Sequence, residues 1–316
     1  MPTKPIEIIL PSSIEPKEFQ DLIDLVSSMM EEMVNYGTQV VHWAGYNPKF
    51  KKPDIDLPLL LLSRHILEIA DSISILLKKS SIDPCKVLLR AALEAMLYIK
   101  FITAERSEDR CKAYLVSYIK NKKNEYLKFS IGSKIHEEFK KKIQNDQFIK
   151  GGLNPFTEEI NELVNFKIKN LDKWISKPIF SETITEYNRV RKKYNRKPPW
   201  YLLYGGAQNI ERLAGLLNYQ YLYEAVYRNW SDFVHASDVI TGRISSGEGG
   251  KSAFYQIRMG YDIINIVTFT INIILTSYRE LVSFIVPEML SNYNRWYIDE
   301  ISGAFLKIRK TKIKLN

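Results

Sequence analysis

The chain has 316 residues, of which 45% are hydrophobic and 26% charged, a globular composition that excludes a disordered or fibrous protein. Its formal net charge of +9 permits a polyanionic partner without requiring one. Two cysteines, Cys85 and Cys111, make neither a disulfide framework nor a C-x-x-C metal site.

The opening MPTKPIEIILPSS is interrupted by Pro2, Pro5 and Pro11, so no secretion signal is expected and a reducing, cytoplasmic setting is the expectation. Residues 1–56 are read as an N-terminal helix and a linker. The helix runs from about Pro16 to His42, and Pro48, Pro53 and Pro58 punctuate the extended stretch after it. Residues 57–128 form the first part of a helical core, with helices at about Leu57 to Leu77, Asp83 to Thr103 and Ser107 to Phe129. Asp83-Pro84 reads as a cap followed by a first-turn proline.

Residues 129–197 are polar and Lys-rich, broken at GGLNP and KPPW, and are expected to be an insertion of shorter helices or a flexible arm. Residues 198–286 form the second part of the core. Periodicity runs from about Ala207 through Ser237, and a long helix is expected from about Ser252 to Val286. Within it, Ile263 to Leu275 is too short and too interrupted by Asn265 and Asn272 for a membrane span, and reads as a buried helix. Residues 287–316 are read as a basic C-terminal tail, frayed at KIRKTKIKLN. The fold class is all-α: a helical bundle with an extra N-terminal helix and a helical insertion.

One stretch carries chemistry. In YRNWSDFVHASD, at about 100° per residue, Arg228 and His235 lie about 20° apart on a helix, with Glu224, Ser231 and Asp232 on the same side. Tyr219, Leu222, Tyr223, Val226, Trp230, Phe233 and Val234 form the opposite, core-facing stripe. Arg228 and His235 are thus placed to contact one phosphodiester. Upstream, Arg64/Glu68 and Arg90/Glu94 are i,i+4 pairs in helices apolar nearly all round. They are either a satisfied internal ion-pair network or, for Arg90 and Glu94, groups facing the His235 helix that orient the imidazole or contact phosphate, Glu94 being the better candidate to fix the imidazole tautomer. SSGEGGKS imitates a phosphate-binding loop but lacks its first glycine and a preceding buried strand; it is either a mobile loop or a helix N-terminus where Lys251 holds a phosphate. No histidine spacing builds a zinc site, and neither a metal nor a cofactor is expected.

Arg228-Asn229 followed by His235 resembles the R-polar-x4–6-H motif of the HEPN superfamily of helical bundles. A closer resemblance is to a prokaryotic family of unknown function, through Arg64-x3-Glu68, Arg90-x3-Glu94, Arg110-x3-Tyr114 and Tyr223-x3-Tyr227-Arg228-x2-Ser231-x3-His235. The resemblance covers about residues 57–128 and 198–285. It implies a metal-independent endoribonuclease, a toxin or anti-phage effector, leaving a 2′,3′-cyclic phosphate and a 5′-hydroxyl. In that role His235 moves protons, Arg228 stabilises the phosphorane and Asn229 positions the substrate. It also implies a homodimer with a composite site, RNA as partner, and an antitoxin or defence-system protein as a further one. The alternative is a non-catalytic helical module that binds a nucleotide or a partner protein.

Overall fold

A computed structural model describes residues 17–46, 53–235, 244–246, 252–254, 257–258 and 262–311. In chain order the principal helices are α1 (Lys17–Tyr46), α2 (Pro53–Lys78), α3 (Pro84–Ala104), α4 (Ser107–Leu127), α5 (Lys134–Ile143), α6 (Glu158–Ile175), α7 (Ser181–Tyr194) and α8 (Ile210–Leu216), followed after a two-stranded ribbon by α9 (Ile263–Ile285), α10 (Leu290–Trp296) and α11 (Gly303–Lys310). The ribbon pairs β1 (Ile244–Ser246) antiparallel with β2 (Ser252–Phe254). The protein is all-α, and among the described residues that ribbon is its only sheet.

The chain divides into two compact units, residues 1–105 with 210–316, and residues 106–209. The backbone turns sharply near both crossings, at Arg106 (φ 48°) and at Tyr204 and Gly205 (φ 58° and 84°).

In the first unit α9 is the centre, packed against α1, α2 and α3. Ile266, Val267, Ile273, Ile274 and Leu281 are wholly buried on it, while Asn265, Asn272 and Arg279, seven residues apart, mark an exposed stripe. Two of its buried hydroxyls are satisfied within the helix: Thr270 donates to the Ile266 carbonyl at 2.7 Å and Ser277 to that of Ile273 at 2.8 Å, while the buried Tyr278 hydroxyl has no hydrogen-bond partner. Across α3 and α9, the Glu280 carboxylate accepts from Lys100 Nζ and Thr103 Oγ1, both at 2.5 Å. No helix among the described residues is long and apolar enough to cross a membrane.

In the second unit α4 packs against α6, α7 and the 3-10 segment Trp200–Gly205. Phe180, Tyr187, Val190, Trp200 and Leu202 are buried there with Cys111, Val116 and Ile119 of α4. His136 is a core histidine at 3% exposure, its Nδ1 3.0 Å from the Lys128 carbonyl and its ring edge-on to Phe156.

Several boundaries differ from the sequence reading. The helix at 107–127 belongs with residues 128–209, because its apolar side meets α6 and α7, so the Lys-rich stretch is a folded unit with its own core. The helix expected from Ser252 begins only at Ile263, since Ser252–Phe254 pairs as a strand across a connection containing Gly247, Gly249 and Gly250. Residues 287–310 are more than a basic tail: Tyr293, Ile301, Phe305 and Ile308 recur at helical spacing and are buried, this part of the chain packs on α1 and α9, and residues 307–310, expected to fray, are helical in α11. Asp83 does not cap α3; its carboxylate accepts from Lys86 Nζ at 2.9 Å instead.

Candidate functional site

The segment that carries Arg228 and His235 is not a regular helix. After α8 the chain turns through Asn218 (φ 63°), makes one short turn at Gln220–Leu222, and widens into a π-helical turn over Tyr223–Arg228. The Asn229 amide donates to the Glu224 carbonyl, five residues back, at 3.0 Å. Trp230 then leaves helical geometry (φ −92°, ψ 7°), a single turn follows at Ser231–Val234, and His235 repeats the Trp230 conformation. The projection of 100° per residue therefore fails between Arg228 and His235, and their common face cannot be read from helical phase. Their exposure still agrees with a wet side: Arg228, Asn229, Asp232 and His235 are exposed and Ser231 is half-buried, while Tyr223, Val226 and Trp230 are buried. Of the expected core stripe, Val234 is exposed and Tyr219, Leu222 and Phe233 are only half-buried, because the chain no longer keeps one helical phase.

Helix α3 is the platform for this segment, contacting both the π turn and the Ser231–Val234 turn. Val226 is wholly buried and the Trp230 ring meets Phe269 of α9 edge-on at 5.5 Å. Lys86 of α3 ties the far end, with Asp83 at 2.9 Å, Asp262 at 3.4 Å and the Phe233 ring at 5.6 Å. Burial acts to lower the Lys86 pKa, but the two carboxylates outweigh it and hold the ammonium above the ordinary lysine value.

The Arg228 guanidinium is 2.9 Å from Glu211 of α8 and 3.3 Å from Glu224, and lies 5.6 Å from the Tyr223 ring centroid. Contact with Tyr223, then the charges of Glu224 and Glu211, keep its pKa above the ordinary arginine value. Tyr223 stacks on Tyr227 with centroids 5.3 Å apart and planes 18° from parallel. The Arg90 guanidinium covers the Tyr227 ring at 4.2 Å. Two cations thus bracket two stacked phenols, a ladder from α3 to the exposed Arg228.

Arg90 and Glu94 are both half-buried and turned toward this segment. Arg90 Nε is buried with no acceptor. Glu94 accepts from the Tyr98 hydroxyl at 3.3 Å and faces the Tyr227 phenol, whose pKa is raised first by burial and then by Glu94. Glu94 therefore attends two tyrosines, and the expected fixing of the His235 imidazole is absent. Arg64 and Glu68 do pair, at 2.9 Å, but with side chains 67% and 57% exposed, so they are not an internal network. Tyr114, the tyrosine of the Arg110-x3-Tyr114 motif, meets Trp200 edge-on at 5.3 Å inside the second unit. Lys251 lies outside the described residues. No group of three His, Cys, Asp or Glu side chains among the described residues is arranged to hold a metal ion.

The sequence reading missed Glu211 and Lys86. Glu211 stands 17 residues from Arg228 and no local pattern joins them. Tyr223 and Tyr227 were in the motif, and their spacing of four was the available signal for the stack.

No curated protein and no solved structure matches the chain. The profile of a family of unknown function matches residues 56–251, a span that includes α3, the π turn and the Arg228–His235 segment. Because that match extends over more than half of its length, the chain belongs to this family of unknown function (DUF5677).

Proposed function

We propose that the protein is a metal-independent endoribonuclease of the HEPN type, with Arg228, Asn229 and His235 as its reacting face. The observation that carries the reading is their shared exposure on one short segment, held from behind by buried Val226 and Trp230. A phosphodiester can reach these side chains without the core opening. The RNA 2′-oxygen attacks the adjacent phosphorus, its proton passes to a base, and the departing 5′-oxygen takes a proton, leaving a 2′,3′-cyclic phosphate. Histidine suits both transfers because its ordinary pKa lies near neutrality. A guanidinium fork matches the phosphorane oxygens, and Arg228 would exchange its carboxylate partners for them. The expected assembly is a homodimer that brings two such faces together. A toxin or anti-phage role, with a neutralising partner protein, belongs to the same reading.

A second reading is a non-catalytic module that binds a nucleotide or a protein. It is favoured by one observation: Arg228 is already paired with both Glu211 and Glu224.

Labelled RNA incubated with the protein in EDTA, with analysis of the new termini, separates the two. His235→Ala is expected to keep the wild-type melting temperature, since the side chain is exposed, and to lose cleavage by about 100-fold or more. Arg228→Lys is expected to fail also, because a point charge does not reproduce the planar fork. A folded His235→Ala protein that cleaves at the wild-type rate would remove the ribonuclease assignment, and a stable monomer in sedimentation with and without RNA would remove the composite site.

A further inference from the structure

The positive charge of this protein is segregated. Residues 106–209 carry 22 lysines and arginines against 12 aspartates and glutamates, whereas the remainder of the chain carries 23 against 24. The unit that holds Arg228 and His235 is thus close to neutral, and the whole excess belongs to the other. Part of that excess is offset locally, as in Lys123–Asp172, Lys122–Glu125 and Arg189–Glu186. The end of α7 is different. Arg191, Lys192 and Lys193 fill its last turn, Arg196 and Lys197 follow directly, and all five are exposed. Among the described residues none of the five forms a salt bridge, although the Glu125 carboxylate, itself paired with Lys122 at 2.7 Å, stands within electrostatic reach of Lys197.

Helix α4 packs against α7 and adds to the same charge. Lys120, with its ammonium 4.9 Å from the Tyr187 ring, has its pKa lowered by burial first and then by Arg191 and Lys123, so those cations stand within electrostatic reach of one another. Three cations in a last turn also complement a helix dipole, which is the ordinary structural use of such residues. Two further positive charges beyond the helix end, and like charge on the neighbouring helix, go past that use and add repulsion. A polyanion would relieve it.

We propose that the basic end of α7, Arg191 to Lys197 with Lys120 of α4 beside it, is a docking surface for the phosphodiester backbone of single-stranded RNA. The choice of RNA rests on the ribonuclease reading; the polyanion chemistry does not. An anionic membrane is a poorer occupant, because the apolar side chains of α7, Tyr187 and Val190, are spent on the unit's own core and leave nothing to insert into lipid. Phosphate contacts of this kind read charge and spacing, so binding is expected to be insensitive to base sequence and steeply dependent on salt.

The test uses the full-length protein and a fluorescein-labelled 2′-O-methyl oligouridine, which offers no 2′-hydroxyl for cleavage, titrated between roughly 50 and 200 mM salt. R191Q/K192Q/K193Q is compared with K307Q/R309Q/K310Q, which removes the same number of exposed charges from the last turn of α11 in the other unit. The first triple is expected to weaken binding by about tenfold or more and to reduce the slope of log Kd against log salt by about two, from roughly 0.7 per lost phosphate contact. The second is expected to leave both nearly unchanged. Circular dichroism confirms that each triple is folded, and K192Q alone, expected to lower the slope by about 0.7, serves if the first triple is not. Equal effects from the two triples, no binding by the wild type at the lowest salt, or tighter binding of phosphatidylserine vesicles or polyglutamate than of RNA would each overturn the proposal. Because the probe cannot be cut, binding without cleavage of natural RNA would sink the ribonuclease reading alone, and cleavage with binding indifferent to the α7 triple would sink this one alone.

Discussion

Glu280 offers the sharpest test of how α3 is held in position beneath the candidate site. Its carboxylate takes Lys100 Nζ and Thr103 Oγ1 at 2.5 Å each, and the Lys100 and Glu280 side chains retain only 27% and 22% of their exposure. At that separation and an effective dielectric near 20, the gross attraction of the ion pair is about 6–7 kcal/mol, most of which offsets desolvation of the two groups. Removing one partner strands the other in a mostly dry site. Glu280→Ala is therefore expected to cost about 2–3 kcal/mol, below the full buried-pair range because some solvent reaches both groups. In a domain of this size that lowers the melting temperature by about 5–10 °C. Thr103→Val preserves shape and removes the single hydroxyl proton, which the nearby carboxylate outcompetes the Ile99 carbonyl for; its expected cost is about 1–1.5 kcal/mol. Lys100→Met combined with Glu280→Met removes both charges while keeping volume, and should be more stable than either single variant. Urea denaturation of the four proteins measures the coupling. A double variant whose loss equals the sum of the single losses would refute the argument, because it would mean the two charges do not interact.

Two other outcomes concern the first unit. Gly37 of α1 lies directly beneath the Tyr278 hydroxyl, with Tyr278 Cζ 2.5 Å from where a Cβ would stand, so Gly37→Ala is expected to destabilise by about 1–3 kcal/mol despite alanine's better helix propensity; a variant with a raised melting temperature would contradict this. Burial pushes the Tyr36 phenol up to about 12 and raises Tyr278 and Tyr293 as well, so the folded state holds these protons more tightly than the unfolded chain, whose tyrosines titrate near 10. Stability should thus be fully present below about pH 10 and fall as pH rises toward 12, and Tyr36→Phe should lessen the decline; melting curves that stay flat across that range would count against it.

Much of the fold was legible in the chain. The helices at 53–78, 84–104, 107–127 and 263–285 were found within a few residues of their ends, except for the start of the last, because each has a stripe of apolar residues at helical spacing long enough to be unambiguous. The wet character of Arg228, Asp232 and His235 was legible too, although the helical phase it was read from breaks at Trp230. The Tyr293–Ile308 spacing was equally readable, but the basic residues around it mask the period with charge. The ion pair between Arg64 and Glu68 was foreseen as a pair and misplaced as internal, since an apolar neighbourhood in sequence does not say which side of a helix is covered.

What the sequence determined by itself is what depends on neighbours one to four residues apart: helical class, most helix limits, the apolar stripes and the exposed polar side of the 224–235 stretch. What only the tertiary structure decided depends on residues far apart in the chain. The π turn and the break at Trp230 lie where this segment packs on α3, with Val226 wholly buried and Trp230 against Phe269, so packing overrides local helical phase. The pairing of Arg228 with Glu211, the cover of Arg90 over Tyr227, and the assignment of residues 107–127 to the second unit are likewise contacts between separate elements. Local spacing fixes which way a side chain leaves its own helix, but the partner it meets is set by how the helices close over one another, and no short-range pattern encodes that.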